Sequence, residues 1–487
     1  MQNGSTGSDS EGLDQSNPPL SHNQPSQGNH GENDGREPHS YGLHRIAVAL
    51  AVVVLTADVL FWEKDGFGLS VPLFAGILFA AVLFLTGNKR PHAKAMYLFV
   101  IGALPAIEYL QLLSIVFLLV STTAAIAYVR SPTRSPLISV LSGLAELWHL
   151  PKSWCLMPFK IVQSAIRVKE KSTRHSQLLI RLKDDWAFPI GGAFVIGGLL
   201  LSANPVLWDF VMHANVSTVW LSRVMFWLGV AILSWPLLQG RDYAPISIPK
   251  TTVPMFNMGL NARSVLRALW VFNLLIGLQS LLDVAILFGG AELPTGMSYA
   301  QYAHRGAYPL LAMALLAGGF ALSARPFING MRFIRPLLFL WIAQNVIVCM
   351  SALLRLDLYI DVYGLTYMRI YAQVWMILVA IGLTLTFWQI LRGYSNLWLL
   401  LRTLMLGVGV LYAACFVNIA KVIVDHNMAL PEPDYAYLCQ LGPLSGLQNH
   451  DRHKYLPPNC FARYNTDVAS PNWQNWDFRT WRYLGSD

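Results

Sequence analysis

The sequence has few charged residues for its length. Asp, Glu, Lys and Arg make up 13% of the 487 residues, whereas hydrophobic residues make up 54%. Soluble domains usually contain about 25% charged residues, so this composition disfavours a soluble globular protein. The charges that are present lie between long apolar stretches, which is the arrangement typical of a helical membrane protein.

Sequence patterns of known catalytic chemistry are also missing. The chain has no phosphate-binding loop, no Gly-rich dinucleotide fingerprint, no His-Glu-x-x-His and no Gly-x-Ser-x-Gly. A net charge of +8 would suit nucleic acid, but the basic residues lie in short connections and no nucleic-acid-binding motif accompanies them. We therefore expect no nucleic-acid partner, and the sequence predicts neither a metal site nor a cofactor.

Cysteine is scarce, with five residues in the whole chain. Cys349 and Cys415 fall in apolar stretches, and Cys155 falls in a segment that we expect in the cytoplasm. Cys439 and Cys460 alone are expected in an oxidising compartment. A disulfide between them would close a loop of about 20 residues, which the chain-entropy estimate values at roughly 3 kcal/mol. Two free thiols in a small folded tail are the alternative.

Apolar stretches of helical length dominate the rest of the chain. A bilayer core of about 30 Å needs roughly 20 helical residues. The sequence predicts an all-α polytopic membrane helix bundle with about eleven transmembrane helices and a small extracytoplasmic C-terminal segment. The third stretch contains Pro105 and is expected to share a turn near Glu108 with the fourth. The predicted spans are 45–62, 68–86, 95–107, 109–129, 187–203, 219–238, 267–288, 306–323, 336–354, 370–391 and 397–418.

Composition divides the chain into five segments. The first is polar and lacks a recognisable signal peptide, so we expect a disordered tail, with the first span acting as an uncleaved signal anchor. The others are a first helical membrane group, a basic amphipathic cytoplasmic segment, a main membrane domain and an extracytoplasmic C-terminal tail. The five boundaries are 1–40, 41–129, 130–185, 186–418 and 419–487.

The distribution of positive charge predicts a cytoplasmic N-terminus and an outer C-terminus. With these spans, 24 of the 35 Lys and Arg residues fall on the side of the N-terminus. The basic segment 130–185 would suit the anionic lipid of the inner leaflet, or it forms an in-plane elbow between spans. The Trp-rich end of the tail would rest on the membrane surface or pack on the spans, and a protein partner for the tail stays open.

Polar and charged side chains recur at the outer ends of the seventh to tenth spans, at spacings that place them on one face of each helix. Gln279 and Asp283 are four residues apart, as are Arg369 and Gln373, and Gln344, Ser351 and Arg355 repeat at seven and then four residues. An ionisable group at the bilayer centre costs about 2.5–3.5 kcal/mol on insertion scales, so each one is a functional candidate. Arg305, Arg355 and Arg369 oppose the charge bias and should have carboxylate partners. The carboxylates available on that side are Asp283, Glu292, Asp357 and Asp361. We expect residues 355–369 to form a polar loop. The candidate binding residues of this polar layer are Asp283, Gln279, His304, Arg305, Gln344, Arg355, Asp357, Asp361, Arg369 and Gln373.

Two long motifs lie in this region, YAQYAHRG at 299–306 and RLDLYIDVYGLTYMR at 355–369. With them the chain resembles a bacterial family of polytopic membrane proteins catalogued as a domain of unknown function. The resemblance is good from about residue 187 to the end and weak before it. It implies a multi-pass protein of the bacterial cytoplasmic membrane, and it implies no particular chemistry.

Three classes of function fit the polar layer. The first, which we expect, is a non-catalytic structural or regulatory membrane component whose interhelical ion pairs lock spans seven to ten together. The second is a transporter or lipid flippase that uses a polar cavity open to the outer leaflet. The third is a membrane enzyme acting on an outer-leaflet substrate, which would need a base near His304 and Asp283. The sequence indicates neither a substrate nor an oligomeric state.

Overall fold

The structure of the protein is a computed structural model. It divides into two units, 1–39 and 40–487, and every described residue belongs to the second. Most of the predicted fifth span and the basic stretch 152–185 lie outside the described residues. The structure describes residues 43–64, 66–87, 93–130, 138–151, 192, 196–200, 203–204, 218–239, 261–287, 312–313, 315–328, 330–447, 456, 460 and 472–484.

All regular secondary structure in the described residues is helical. Further helical stretches occupy 138–151 and 315–324. The long helices are α1 (Leu43–Phe61), α2 (Ser70–Thr86), α3 (Ala93–Glu108), α4 (Leu112–Arg130), α5 (Thr218–Gln239), α6 (Ala262–Leu287), α7 (Ile334–Tyr363), α8 (Tyr367–Arg392) and α9 (Asn396–Ala414). The short helices that follow them are α10 (Ile419–Asn427), α11 (Tyr435–Leu438) and α12 (Phe478–Leu484).

Seven of the described helices, α1 and α4 to α9, are long and apolar enough to cross a membrane. Helix α2 is apolar but has 17 residues, and α3 has 16 residues and contains Pro105. Helix α3 ends at Glu108 and α4 begins at Leu112, so the turn predicted near Glu108 is present. The all-helical, multi-pass character is therefore established, whereas the total of about eleven spans stays a prediction.

Helices α1 to α8 pack around two apolar cores. One core joins α1 to α5 and the stretch 138–151, with Val53, Ile126 and Leu238 fully buried. The other joins α6, α7, α8 and the stretch 315–324, with Leu269 and Leu338 fully buried. The polar residues of interest lie on α6, α7 and α8, so the second core is the scaffold that positions them.

Helix α7 is longer than the apolar run that predicts it. It has 30 residues and continues to Tyr363, a length of about 45 Å that exceeds a bilayer core by about 15 Å. The prediction that 355–369 is a polar loop was therefore wrong for most of its length. The chain turns only at residues 364–366, because Gly364 has φ +76° and the Thr366 hydroxyl caps α8. A helix that leaves the apolar layer can carry polar residues without ending.

The C-terminal segment folds over one end of the bundle. Residues of α10, α11 and the following turns form a third apolar core with Ile360 and Leu365 from the junction of α7 and α8. Cys439 and Cys460 form a disulfide within this segment, with their Cα atoms 5.4 Å apart. We call residues 415–447, with 456 and 460, the cap, and this end of the bundle the capped end.

A second C-terminal piece, residues 472–484, reaches the N-terminal helices, and we call it the strap. The carbonyl oxygen of Gln474 accepts a hydrogen bond from the Gly68 N–H (2.9 Å), and that of Trp476 accepts one from the Leu69 N–H (2.8 Å). Helix α2 has no side-chain N-cap. The Gln474 carbonyl also accepts from the N–H of Ser70, the first residue of α2, at 3.3 Å. The strap therefore satisfies an N–H group that a helix start leaves without an intrahelical partner.

Candidate functional site

The residues at the capped end of α6 and α7 form a buried ionic cluster around Asp283. The guanidinium of Arg355 donates to Asp283 Oδ1, and the two residues are 5% and 2% exposed. Gln279 Nε2 also donates to Asp283 Oδ1 at 2.7 Å, and the Ser351 hydroxyl donates to Asp283 Oδ2 at 2.7 Å. Both carboxylate oxygens are therefore occupied by donors from two helices.

Helix periodicity brings these side chains together. Gln279 and Asp283 are four residues apart on α6, and Ser351 and Arg355 are four apart on α7, so each pair shares a helix face. Helix α6 begins at a cap in which the Asn261 side chain accepts from the Ser264 N–H at 2.9 Å. The two helices then run in the same direction within the second core, which sets their register.

Arg369 does not join this cluster. Its guanidinium donates to the carbonyl oxygens of Tyr363 (2.8 Å) and Gly364, and it lies over the Tyr359 ring at 4.5 Å from the centroid. The expected carboxylate partner is absent within the described residues. Carbonyl oxygens at the end of α7 take its place, because a helix C-terminus leaves them free and carries partial negative charge.

The other predicted site residues are scattered. Asp357 and Asp361 are exposed on the projecting part of α7, and neither forms an ion pair in the described part of the chain. Gln344 lies lower on α7, beside Gly277 of α6. Gln373 is half-buried on α8. His304 and Arg305 lie outside the described residues, so of the ten candidates the structure brings together Asp283, Gln279 and Arg355.

Other ion pairs connect elements that the sequence did not relate. Arg223 on α5 pairs with Asp58 on α1, which also accepts from the Trp227 indole at 2.8 Å. In the sequence, Asp58 and Arg223 are marked only by being single charged residues near the ends of their spans. On the opposite end of the bundle, Arg130 of α4 pairs with Glu146 of the stretch 138–151 at 2.6 Å.

The end of α3 is tied to the strap in the same way. Glu108 accepts from Arg479 (3.4 Å) and from Arg482 (3.0 Å), and Arg479 also donates to the Cys415 carbonyl at 2.6 Å. Arg479 is 5% exposed. The strap therefore holds the ends of α3 and α9 through one buried guanidinium. Its bond to Glu108 joins residues 371 positions apart, and its bond to Cys415 joins residues 64 apart.

These arrangements connect neighbouring helices. In the portion of the chain that is described, no three His, Cys, Asp or Glu side chains come together to hold a metal ion. Both oxygens of Asp283 accept hydrogen bonds, and the Arg355 head group is engaged by the carboxylate. A carboxylate placed in this way can brace two helices inside an apolar layer.

Span-length apolar helices with ionic links between them define a multi-pass helical membrane protein. The chain belongs to the family described as domain of unknown function DUF4153, whose family model matches residues 46–449. The match begins well before residue 187, so it includes the N-terminal helices where motif resemblance was weak, and it stops short of the strap. No curated protein and no solved structure matches the chain.

Proposed function

We propose that this protein is a non-catalytic structural or regulatory component of the bacterial cytoplasmic membrane. The observation that carries the proposal is the saturation of Asp283 by Arg355, Ser351 and Gln279, which joins α6 to α7. Recognition of an anionic substrate by Arg355 or Arg369 would need one of these guanidinium groups free. Arg355 is engaged by a carboxylate and Arg369 by two carbonyl oxygens.

The capped end faces outward in this proposal, and the N-terminus is cytoplasmic. The excess of Lys and Arg on the opposite side supports this orientation. The disulfide in the cap supports it too, because disulfides persist in oxidising compartments. The cap and strap then present a surface to extracytoplasmic partners, and the basic segment 130–185 contacts anionic lipid of the inner leaflet.

Replacement of Asp283 by Asn tests the bracing role. The amide would keep the shape of the side chain but leave the Arg355 charge buried without a counter-ion, and breaking a buried pair in this way typically costs about 3–5 kcal/mol. We expect a large fall in the yield of folded protein and in Tm, measured by size-exclusion fluorescence in mild detergent. The double variant Asp283→Leu/Arg355→Leu should recover most of the stability, because it removes both charges.

Asp361→Asn is the matched control, since Asp361 is exposed at the same end of α7 and forms no ion pair among the described residues. Its Tm should equal that of the unmodified protein. An Asp283→Asn variant as stable as the control would contradict bracing and favour a role in binding or catalysis.

A further inference from the structure

Four side-chain oxygens on α6 and α7 are buried without a hydrogen-bond partner among the described residues: Asn273 Oδ1, Ser280 Oγ, Gln344 Oε1 and Asn345 Oδ1. Asn273 is 5% exposed, and its amide nitrogen donates to the carbonyl oxygens of Leu269 (2.7 Å) and Leu337 (3.1 Å). Those two bonds hold the amide in place, so its oxygen is fixed as an acceptor that still needs a donor.

Three of these oxygens, those of Asn273, Ser280 and Gln344, belong to one seam between the helices. Asn273 contacts the carbonyl of Leu337, and an ideal Cβ on Gly277 would lie 3.2 Å from the Gln344 amide nitrogen. Asn273, Gly277 and Ser280 are spaced by four and three residues, so they share one face of α6. Ten residues separate Asn273 from Asp283, so this seam extends about 15 Å along the bundle axis from the ionic cluster.

Three unmatched acceptors within one seam need an explanation. A buried polar group without a partner costs about 1–3 kcal/mol, and nearly all such groups in proteins have a protein or water partner. A metal cation that coordinates these oxygens is poorly suited to the seam. Asp283 is the one carboxylate among the described residues of the seam, and Arg355 already balances its charge. A neutral molecule that donates hydrogen bonds and fits between two packed helices is water.

We propose that the seam between α6 and α7 binds a row of water molecules that donate to Asn273 Oδ1, Ser280 Oγ and Gln344 Oε1. The row extends from the middle of α6 to the Asp283–Arg355 pair and gives these buried charges a hydrated neighbour. The site is distinct from the bracing contacts themselves, and it does not depend on them: the braces would function equally in a dry seam.

Cysteine accessibility tests the hydration of the seam in the full-length protein reconstituted in lipid nanodiscs. Thiols ionise and react with Ag⁺ only where water reaches them. Ser280→Cys should be blocked by Ag⁺ at least tenfold faster than two controls, Ile276→Cys in the apolar core and Leu278→Cys on the lipid-facing surface. Blocking is measured as loss of later N-ethylmaleimide labelling of the unfolded protein, peptide by peptide. Equal rates at all three positions would overturn the proposal.

A second variant decides the question even where Ser280→Cys fails to fold. If the Gln344 oxygen is truly unpartnered, Gln344→Leu removes a buried unsatisfied group and raises Tm; if it binds water, the variant lowers Tm. Gln373→Leu is the control for the same exchange on α8 and should leave Tm unchanged. A rise in Tm for Gln344→Leu would contradict hydration.

A Tm of the unmodified protein that depends on Na⁺ or K⁺, with choline as reference, would identify a cation instead and also overturn the proposal.

Discussion

Asn427 is the residue that joins the cap to the turn between α7 and α8. Its side chain accepts from the Leu365 N–H at 2.5 Å and donates to the Leu365 carbonyl at 2.9 Å. Asn427 is 4% exposed and Leu365 is 7% exposed. One amide therefore satisfies both backbone groups of a buried residue, which a turn of three residues cannot satisfy internally.

Asn427→Ala should weaken the attachment of the cap. The substitution leaves the buried N–H and C=O of Leu365 without partners, at a cost of about 1–3 kcal/mol for each group. The expected result is a lower midpoint of unfolding in a mild denaturant titration. The control is Asp425→Ala on the same helix, because the exposed Lys421–Asp425 pair (3.2 Å) should contribute no more than about 0.5 kcal/mol. Equal midpoints for the two variants would show that Asn427 does not hold the cap.

At the scale of elements, α7 and the strap each contact parts of the chain that are distant in sequence, which short-range sequence patterns do not predict. The projecting end of α7 supplies Ile360 to the core of the cap. The strap supplies backbone carbonyls to the start of α2 and a guanidinium to the end of α3. Each element thus extends from one packed group of helices to a neighbour, and removing either should loosen the capped end more than the opposite end.

The strap requires a glycine at position 68. An ideal Cβ on Gly68 would lie 2.5 Å from backbone atoms of Asn475 and Trp476, closer than real Cβ contacts occur. Gly68→Ala should therefore displace the strap and expose the buried Arg479 to trypsin, detected as a new C-terminal cleavage by mass spectrometry. On Gly66 the Cβ would meet only the side-chain amide of Asn475 at 3.0 Å, which can move, so Gly66→Ala should remain resistant. Cleavage at Arg479 in neither variant would contradict this docking.

At the scale of the whole molecule, the capped end collects the ends of many helices. The Asp58–Arg223 pair, the Glu108 cluster, the Asp283–Arg355 pair and the cap all lie there. In the proposed orientation this end is extracytoplasmic, where an oxidising compartment allows the Cys439–Cys460 disulfide to form.

A count of free thiols tests the orientation. Protein from membranes, unfolded without reductant and treated with a maleimide of high mass, should gain three labels, because Cys439 and Cys460 are bonded. With reductant it should gain five. Three labels in cells with an intact extracytoplasmic oxidation system and five in cells without it place the cap outside. Five labels under every condition would contradict both the disulfide and the orientation.

The sequence predicted that Asp283 and the Arg residues of α7 and α8 belong to one polar layer, because their spacing repeats along helix faces. It did not predict which carboxylate pairs with Arg355, since Asp283, Glu292, Asp357 and Asp361 were all available. Asp283 is the partner because of the register between α6 and α7, and it lies 72 positions before Arg355 in the sequence. For Arg369 the sequence predicted a carboxylate, whereas the structure uses carbonyl oxygens that no side-chain pattern reveals.

The length of the apolar runs was sufficient to establish an all-helical, multi-pass protein, because each span must satisfy its own backbone hydrogen bonds within the membrane. Helical spacing likewise identified the polar faces of α6 and α7. Only the tertiary structure determined that α7 continues to Tyr363, and that the strap binds α2 across 404 positions of sequence. Periodicity carries information about neighbours a few residues apart, whereas these contacts depend on how distant helices pack against one another.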